Sequence, residues 1–384
     1  MITKFRVKNY LSLRDVDLEL RPRKNIIVGP NMSGKSNLID CFKFLTHMVT
    51  TGLNKAFLDR GGFSEVVWKG RDESRISFQL VAEFAGESAK SYTYDLTIVG
   101  SPTGLISVEK ERLAVQSQDA AYPLIDLDNG HGRITHADGS EAFAPPGPGR
   151  SALEFAVPGW EGTHVSSFIA SWRFYRLIPA IIKQVNGAVG QAFLNENGDN
   201  FSSWFITLQS NHPEEFRLLH QAAVDAFPDL KTVFAPVTQS LTATSSHEKN
   251  LKRPITLWRM SDGELSFLAL LSLIFAPETL GAPLVCIEEP ENHLHPRLLE
   301  TLIELLNQRQ NALGSRAAQI MATTHSPYLV DLIDLEDLLV AEKYHGESRY
   351  TRPASKSHLR ELLEREELGL GDLWYAGALG GVTC

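Results

Sequence analysis

The sequence has little cysteine and no long apolar run. Its three cysteines, Cys41, Cys286 and Cys384, are too few and too scattered for a disulfide framework or a zinc site. No apolar run approaches the roughly 18 to 20 residues that cross a bilayer. The first residues also lack the apolar core of a secretion signal. These absences predict a cytoplasmic protein.

Positive charge is also scarce, since 37 Lys and Arg face 46 Asp and Glu for a formal net charge of −9. Proteins that bind DNA phosphates usually carry a basic excess or a basic stripe. Neither is evident here, but an acidic total does not rule out a local basic groove. The composition therefore leaves direct nucleic-acid binding open.

With 384 residues, 43% of them apolar, the chain can bury a large core. The first forty residues predict three strands, a loop and a helix, because the apolar pattern changes from alternation to helical spacing at Ser36. Residues 115–165 are rich in Gly, Pro, Asp and His and predict loops and hairpins, with a tight turn at 138–139. Two helices and three buried strands are predicted beyond them, at 166–184, 213–227, 284–287, 319–323 and 338–341.

Residues 29–36, GPNMSGKS, fit the phosphate-binding pattern G-x-x-x-x-G-K-[ST] at every fixed position. Gly29 and Gly34 allow the backbone to wrap phosphates with its amides pointing inward. The helix that follows adds unpaired N–H groups and a positive dipole end. Lys35 can reach the β- and γ-phosphates, and the Ser36 hydroxyl can ligate magnesium. The loop therefore predicts binding of ATP with Mg2+; the alternative is a glycine-rich turn without a ligand.

Two adjacent carboxylates, Glu288 and Glu289, follow the predicted strand at 284–287. The carboxyl ends of such strands are where doubly wound sheets place their ligands. We expect Glu288 to hold the magnesium, directly or through water, and Glu289 to orient and polarise the attacking water. Alternatively, the pair are ordinary surface acids or a helix start.

Residues 261–264, SDGE, open an almost wholly apolar helix. Ser261 and Glu264 have the spacing of a capping box, in which serine caps the helix. A capped helix start with a serine hydroxyl and Gly263 beside it is also an anion site. We expect this site to face a γ-phosphate.

Three histidines follow in the same half of the chain. His325 lies just beyond the predicted strand at 319–323, which favours a γ-phosphate contact over a purely structural role. His293 and His295 have the spacing of a metal pair, but no third ligand stands near them in sequence. We therefore do not predict a metal site at this pair.

Together these motifs resemble the ABC-type ATPases of the RecF, SMC and OLD (overcoming lysogenization defect) group. The opening, ITKFRVKNYLSL at 2–13, looks like the group's first strand, and GPNMSGKSN at 29–37 looks like its Walker A. SDGE at 261–264 is similar to the signature motif. EEPENHLHP at 288–296 looks like Walker B with the D-loop, and THSP at 324–327 looks like the switch histidine.

The resemblance implies an α/β fold: a P-loop NTPase with an ABC-ATPase-like mixed sheet core and a mostly helical insertion. Residues 194–200 and 373–381 are also similar to compact bacterial members with such an insertion. Four parts are implied: an N-terminal part of the core with Walker A at 1–90, an insertion or lid at 91–250, a C-terminal part with the other motifs at 251–345, and an extension at 346–384.

The resemblance also implies a site shared between subunits. ATP would lie between the Walker A loop of one subunit and the signature of another, in a homodimer or higher oligomer. The implied catalytic residues are Lys35, Glu289 and His325, and Ser36 and Glu288 are the implied magnesium ligands. The implied nucleotide contacts are Gly29, Asn31, Ser33, Gly34, Lys35, Ser36, Asn37, Ser261 and Gly263.

Two positions depart from the group's pattern. Walker B begins with Glu288 where aspartate is commoner, which implies looser metal geometry and slow turnover. No glutamine clearly fills the Q-loop, for which Gln79 is the candidate.

Two kinds of segment that members of this group can carry are not evident in the sequence, which limits the functions that we expect. No spaced acidic triad of a Toprim nuclease follows His325, and no heptad run marks an SMC arm. The resemblance implies an ATP-driven sensor or regulatory subunit of an anti-phage module, paired with a separate nuclease or toxin. The alternatives are a RecF-like DNA-repair ATPase that clamps DNA, a transporter ATPase, and a module that holds ATP without turnover.

Overall fold

A computed structural model describes residues 1–71, 73–84, 90–101, 104–117, 121–353, 369–377 and 379 of the 384-residue chain. The chain forms two compact units. Unit 1 comprises Met1–Trp172 and Leu335–Cys384, and unit 2 comprises Arg173–Asp334. The domain boundaries predicted from the sequence, at residues 90, 250 and 345, differ from the limits of these two units and stay a prediction.

The strands, in chain order, are β1 (Ile2–Tyr10), β2 (Leu13–Glu19), β3 (Lys24–Val28), β4 (Arg75–Phe84), β5 (Lys90–Gly100), β6 (Ile106–Gln116), β7 (Ala121–Asp128), β8 (His131–Ile134), β9 (Arg173–Tyr175), β10 (Asn186–Gly187), β11 (Leu230–Phe234), β12 (Val237–Thr238), β13 (Leu241–Thr242), β14 (Ser245–Glu248), β15 (Ile255–Thr256), β16 (Leu284–Glu288), β17 (Gln319–Thr324), β18 (Leu338–Tyr344) and β19 (Glu347–Thr351). The α-helices are α1 (Lys35–Thr51), α2 (Leu53–Leu58), α3 (Phe63–Val66), α4 (Gly162–Ala170), α5 (Pro179–Ile182), α6 (Phe201–Asn211), α7 (Pro213–Ala226), α8 (Asp262–Ile274), α9 (Pro296–Leu313), α10 (Pro327–Asp331) and α11 (Leu370–Tyr375).

Unit 1 contains a seven-stranded antiparallel sheet in the order β2-β1-β4-β5-β6-β7-β8. Its strands alternate in the way that a half-buried sheet requires, with Phe5 and Val7 of β1 fully buried and Arg6 between them partly exposed. Helix α1 packs on the buried face, where the rings of Phe5 and Phe42 stack at 4.3 Å. Burying one such large apolar side chain stabilises the fold by about 1.5–3 kcal/mol. This packing holds the start of α1 in place.

A second group of strands in unit 1 carries the phosphate-binding loop. Strand β3 is buried along its whole length and pairs in parallel with β18, with Ile26 opposite Leu338. Strand β18 pairs antiparallel with β19. The parallel and antiparallel pairs make this part of the fold a mixed sheet, and β3 ends directly before Gly29.

Unit 2 is built around the parallel strands β9, β16 and β17, with β16 paired to both of the others. Its apolar core includes α8, whose residues from Leu265 to Ser272 are buried. Trp204 belongs to the same core, and its indole N–H donates to Ser272 Oγ at 3.1 Å. Helix α9 begins with Pro296, since proline is tolerated in a first turn. Trp172 in unit 1 and Trp204 are each 1% exposed and are therefore core residues.

The predicted helix at 166–184 is wrong in part. The chain there forms the end of α4, then strand β9, then α5. Three residues of β9 pair in parallel with β16, with Arg173 opposite Val285, and this pairing keeps their backbone extended. Pro179 then opens a new helix, because proline is tolerated only in a first turn.

Other parts of the predicted organisation are confirmed. The first forty residues form β1, β2, β3, a loop and α1, and the strands predicted near 284, 319 and 338 are β16, β17 and β18. The expectation of a mostly helical insertion at 91–250 is wrong, because strands β6 to β14 and nearly all of β5 lie there beside helices α4 to α7, and the alternating residues of β5 to β8 pair as antiparallel strands. Cys41 and Cys286 are buried, whereas Cys384, Gly380 and Gly381 lie outside the described residues. No helix in the described ranges is long and apolar enough to span a bilayer.

Candidate functional site

Two glycines determine the path of the phosphate-binding loop between β3 and α1. Gly34 has a φ of +104°, a left-handed conformation that favours glycine. A Cβ at Gly34 would lie 2.0 Å from Ser348 Oγ, and a Cβ at Gly29 would lie 2.3 Å from the carbonyl oxygen of Ala341. Both positions therefore have room only for glycine, which is the requirement that the motif predicts.

Strand β19 contacts the phosphate-binding loop. The Tyr350 hydroxyl donates to the carbonyl oxygen of Gly34 at 2.7 Å, and burial raises the pKa of Tyr350 well above its usual range, so that it stays a donor. The hydroxyls of Ser12 and Ser348 lie 2.6 Å apart. The Asn37 amide, predicted to contact the nucleotide, donates to Ser12 Oγ at 2.6 Å. No sequence motif pointed to Ser348 or Tyr350, and Ser12 lies in the opening segment at 2–13 without a predicted role.

The loop presents groups that fit a triphosphate. The Lys35 ammonium donates to the carbonyl oxygens of Gly29 at 2.7 Å and Pro30 at 3.0 Å, and only 7% of the residue is exposed. Ser33 Oγ is buried and has no hydrogen-bond partner among the described residues. Asn31 and Ser36, by contrast, are exposed. The loop thus places a lysine at a helix N-terminus, the arrangement that binds phosphate.

In unit 2, the end of β16 carries the predicted acidic pair. Glu288 is the last residue of the strand, and Glu289 turns away with a φ of +48°. The Glu289 N–H donates to the carbonyl oxygen of Thr323 on β17 at 3.0 Å. Left-handed backbone at a non-glycine residue costs on the order of 1–3 kcal/mol and is concentrated at functional sites. His293, further along this turn, is left-handed as well, at +68°.

The parallel register of β16 and β17 brings Glu289 and His325 together. Their closest atoms, Glu289 Oε1 and His325 Nδ1, lie 3.3 Å apart. The Asn292 amide donates to the other carboxylate oxygen of Glu289 at 2.9 Å. The sequence predicted Glu289 and His325 as site residues but missed Asn292, whose only signal is its place three residues beyond Glu289.

The predicted signature lies at the start of α8. Ser261 is exposed and caps the helix, since its Oγ accepts the N–H of Glu264 at 3.1 Å. A Cβ at Gly263 would lie 2.8 Å from the carbonyl oxygen of His293, so glycine allows the turn after β16 to approach the signature. The Lys183 ammonium, 2.6 Å from Asp262 Oδ1, holds the pKa of that carboxyl below its usual range.

Two weaker candidates have structural contacts. Gln79, the Q-loop candidate, lies on β4 and donates its amide to Asp95 Oδ1 on β5 at 2.7 Å. His295, one of the possible metal pair, caps α9 by accepting the N–H of Arg297 through Nδ1 at 3.3 Å. These contacts give both side chains a role in the fold.

Two family models match the sequence. Residues 154–331 match one described as "AAA domain, putative AbiEii toxin, Type IV TA system", and residues 4–121 match one described as "AAA domain". Comparison with curated proteins gives no match.

Among solved structures, head domains of SMC proteins have the same fold. An SMC head bound to the C-winged helix domain of ScpA is 14% identical with a TM-score of 0.58, and the match covers 91% of this chain and 97% of that one. An SMC head with an extended coiled coil, derived from Pyrococcus furiosus and bound to the C-terminal domain of ScpA, is 13% identical with a TM-score of 0.53, covering 95% and 99%.

The chain therefore has the fold of SMC head domains, and two parts of it match models of AAA domains. This confirms the predicted α/β P-loop fold class with its mixed sheet. At these identities the likeness shows the fold alone.

Proposed function

We propose that this chain binds ATP at residues 29–37 and hydrolyses it with Mg2+. The geometry of the phosphate-binding loop is the observation that supports this proposal. The Lys35 ammonium is held on the carbonyl oxygens of Gly29 and Pro30 at the start of α1, where the positive end of the helix dipole favours an anion. A triphosphate would exchange these carbonyl contacts of Lys35 for stronger contacts to anionic oxygens.

We assign the catalytic roles from the chemistry of each side chain. Ser36 and Glu288 would hold Mg2+, which when bound neutralises negative charge on the phosphates. Glu289 polarises the attacking water and accepts its proton, and the Asn292 amide fixes the orientation of the Glu289 carboxylate. His325 contacts the γ-phosphate, and its approach to Glu289 supports that role.

We further propose that ATP joins copies of the chain. Ser261 is an exposed helix cap, and Ser261 and Gly263 of one copy would contact the γ-phosphate held by the Walker A loop of another. ATP then acts as a dimerisation ligand. Because each Walker A loop would need the signature of another copy, hydrolysis should depend on assembly.

The biological role we propose is a sensor or regulatory subunit of an anti-phage module with a separate nuclease or toxin. The description of the family that matches residues 154–331 names a type IV toxin–antitoxin system, which supports a module of this kind. Two SMC heads of the same fold are bound to a domain of ScpA, which supports a protein partner in general.

Phosphate release and particle mass test the proposal on the purified full-length chain. We expect ATP-dependent phosphate release that EDTA abolishes, and a mass that at least doubles with ATP under conditions of slow turnover. The hydrolase proposal would be contradicted if the chain showed no ATP turnover by itself, with candidate partners or with nucleic acid. A mass that ATP leaves unchanged would contradict the dimerisation proposal.

A RecF-like DNA clamp is a second candidate, supported by one segment of unit 2. Residues 249–259 carry four cations and no acidic residue, in a chain of net charge −9. Lys252, Arg253 and Arg259 are exposed, and the Trp258 side chain between them is 49% exposed. Cations interleaved with an exposed aromatic ring are the means by which proteins bind nucleic-acid backbones and unstacked bases.

Charge reversal separates the two candidates. If the chain clamps DNA, the double variant Lys252→Glu/Arg253→Glu should bind DNA at least about tenfold more weakly in about 0.1 M salt, with a salt slope reduced by about 2. Filter binding with ATP present measures both. Lys55→Glu/Lys69→Glu, which reverses two exposed lysines of unit 1, is the matched control. Equal binding by the two double variants would contradict a clamp at this segment.

A further inference from the structure

Glu291 is a buried carboxylate in the turn after β16, with a side chain that is only 10% exposed. Its Oε1 accepts the Thr324 hydroxyl at 2.6 Å and the His325 backbone N–H at 3.2 Å. Its Oε2 is buried and bonds no partner within the described residues. Burying a carboxylate costs several kcal/mol unless it is well paired, so its retention here calls for a specific reason.

The contacts of Glu291 link the two segments that carry Glu289 and His325. The Thr324 hydroxyl that donates to Glu291 also accepts the N–H of Ser326 at 3.0 Å. Glu291 is thus bonded on one side to Thr324 at the end of β17 and to the next residue, His325. On the other side its own carbonyl oxygen accepts the N–H of Leu294, which closes the turn after β16.

We propose that Glu291 is a positioning residue, which sets the His325 imidazole against the Glu289 carboxylate. His325 is itself nearly half exposed, so surrounding side chains do little to restrict its rotation. The bond from its backbone N–H to Glu291 Oε1 holds the main chain of His325, and the two carboxylates orient the ring, with His325 Nδ1 at 3.3 Å from Glu289 Oε1 and 3.8 Å from Glu291 Oε1. This inference rests on the proposed hydrolysis of ATP.

A positioning role predicts a loss of kcat without a loss of binding. Glu291→Gln keeps the size of the side chain and one acceptor oxygen but loses the charge, and should lower kcat about tenfold while KM for ATP stays within about twofold. Thr324→Val, which removes the hydroxyl donor, should behave in the same way. Thr324→Ser restores the donor and should return kcat to within about twofold of wild type. Glu304→Gln, on an exposed position of α9, is the matched control and should leave kcat unchanged.

The decisive measurement is the double variant Glu291→Gln/His325→Ala. If Glu291 acts through His325, the two effects should not add, and the double variant should match His325→Ala alone. An equal loss from Glu291→Gln with and without His325 would overturn the inference, as would a normal kcat for Glu291→Gln. If Glu291→Gln does not fold, Thr324→Val and Thr324→Ser carry the same comparison in the His325→Ala background. Absence of turnover in wild type would instead contradict the proposed function, and is seen before any variant is compared.

Discussion

Lys35→Ala should abolish nucleotide binding and turnover. In the free loop, the Lys35 ammonium bonds the carbonyl oxygens of Gly29 and Pro30, and the variant loses the one cation of the loop that reaches the phosphates. A charge-assisted hydrogen bond is worth about 1.5–3 kcal/mol, and two such bonds to phosphate oxygens should be lost. We expect the affinity for ATP to fall at least about 100-fold, and phosphate release to fall below detection.

Titration with a fluorescent ATP analogue and an assay of phosphate release measure these losses. Lys55→Ala is the matched control, because Lys55 is exposed and, within the described residues, pairs with Asp59 at the surface, where a single ion pair contributes little to stability. Because the Lys35 side chain also bonds the loop, its removal is tested for an effect on folding. The melting temperature of the variant separates loss of binding from loss of folding. ATP affinity within about threefold of wild type for a folded Lys35→Ala protein would contradict ATP binding at this loop.

Glu289→Gln should separate binding from hydrolysis. Glutamine keeps an oxygen that can accept the Asn292 amide, so the turn should keep its shape, but it cannot take a proton from water. General-base catalysis contributes about 10²–10⁴-fold, and we expect kcat to fall by at least about 100-fold while ATP affinity changes by less than about threefold. The ATP-bound assembly should therefore accumulate.

Light scattering with ATP and a single-turnover assay test this expectation together. Glu304→Gln, the same change on an exposed position of α9, should keep wild-type turnover and show no trapped assembly. If Glu289→Gln turns over ATP at the wild-type rate, Glu289 is not the base. If it is inactive but never accumulates an ATP-bound assembly, the proposal of ATP between two copies is wrong, although the role of Glu289 stands.

The strands near the motifs could be predicted from the sequence because each has a strong local pattern. Strand β3 ends in a short apolar run, Ile26 to Val28, directly before Gly29, and α1 follows with apolar residues at helical spacing. Strand β9 could not be predicted in this way. Its three residues, Arg173–Tyr175, are too short to show a period, and only the pairing with β16 makes them a strand.

For the candidate site, sequence motifs located the charged residues but not the contacts that orient them. The spacing of Glu289 and His325 carries no sign that the two lie 3.3 Å apart, because that approach depends on the register of β16 with β17. The left-handed backbone of Glu289 is equally hidden, since glycine is the usual signal for it. Asn292, Glu291 and Thr324 lie within the motifs at 288–296 and 324–327, but only their tertiary contacts show what each side chain does.

The bond from the Tyr350 hydroxyl to the Gly34 carbonyl oxygen spans 316 positions of the chain. Strand β3 and α1 are synthesised before unit 2, whereas β18 and β19, which support the same loop, are synthesised after it. A nascent chain therefore lacks a supported phosphate-binding loop until unit 2 has been made. Nucleotide bound at this loop would then stabilise chains that already include unit 2 rather than shorter fragments.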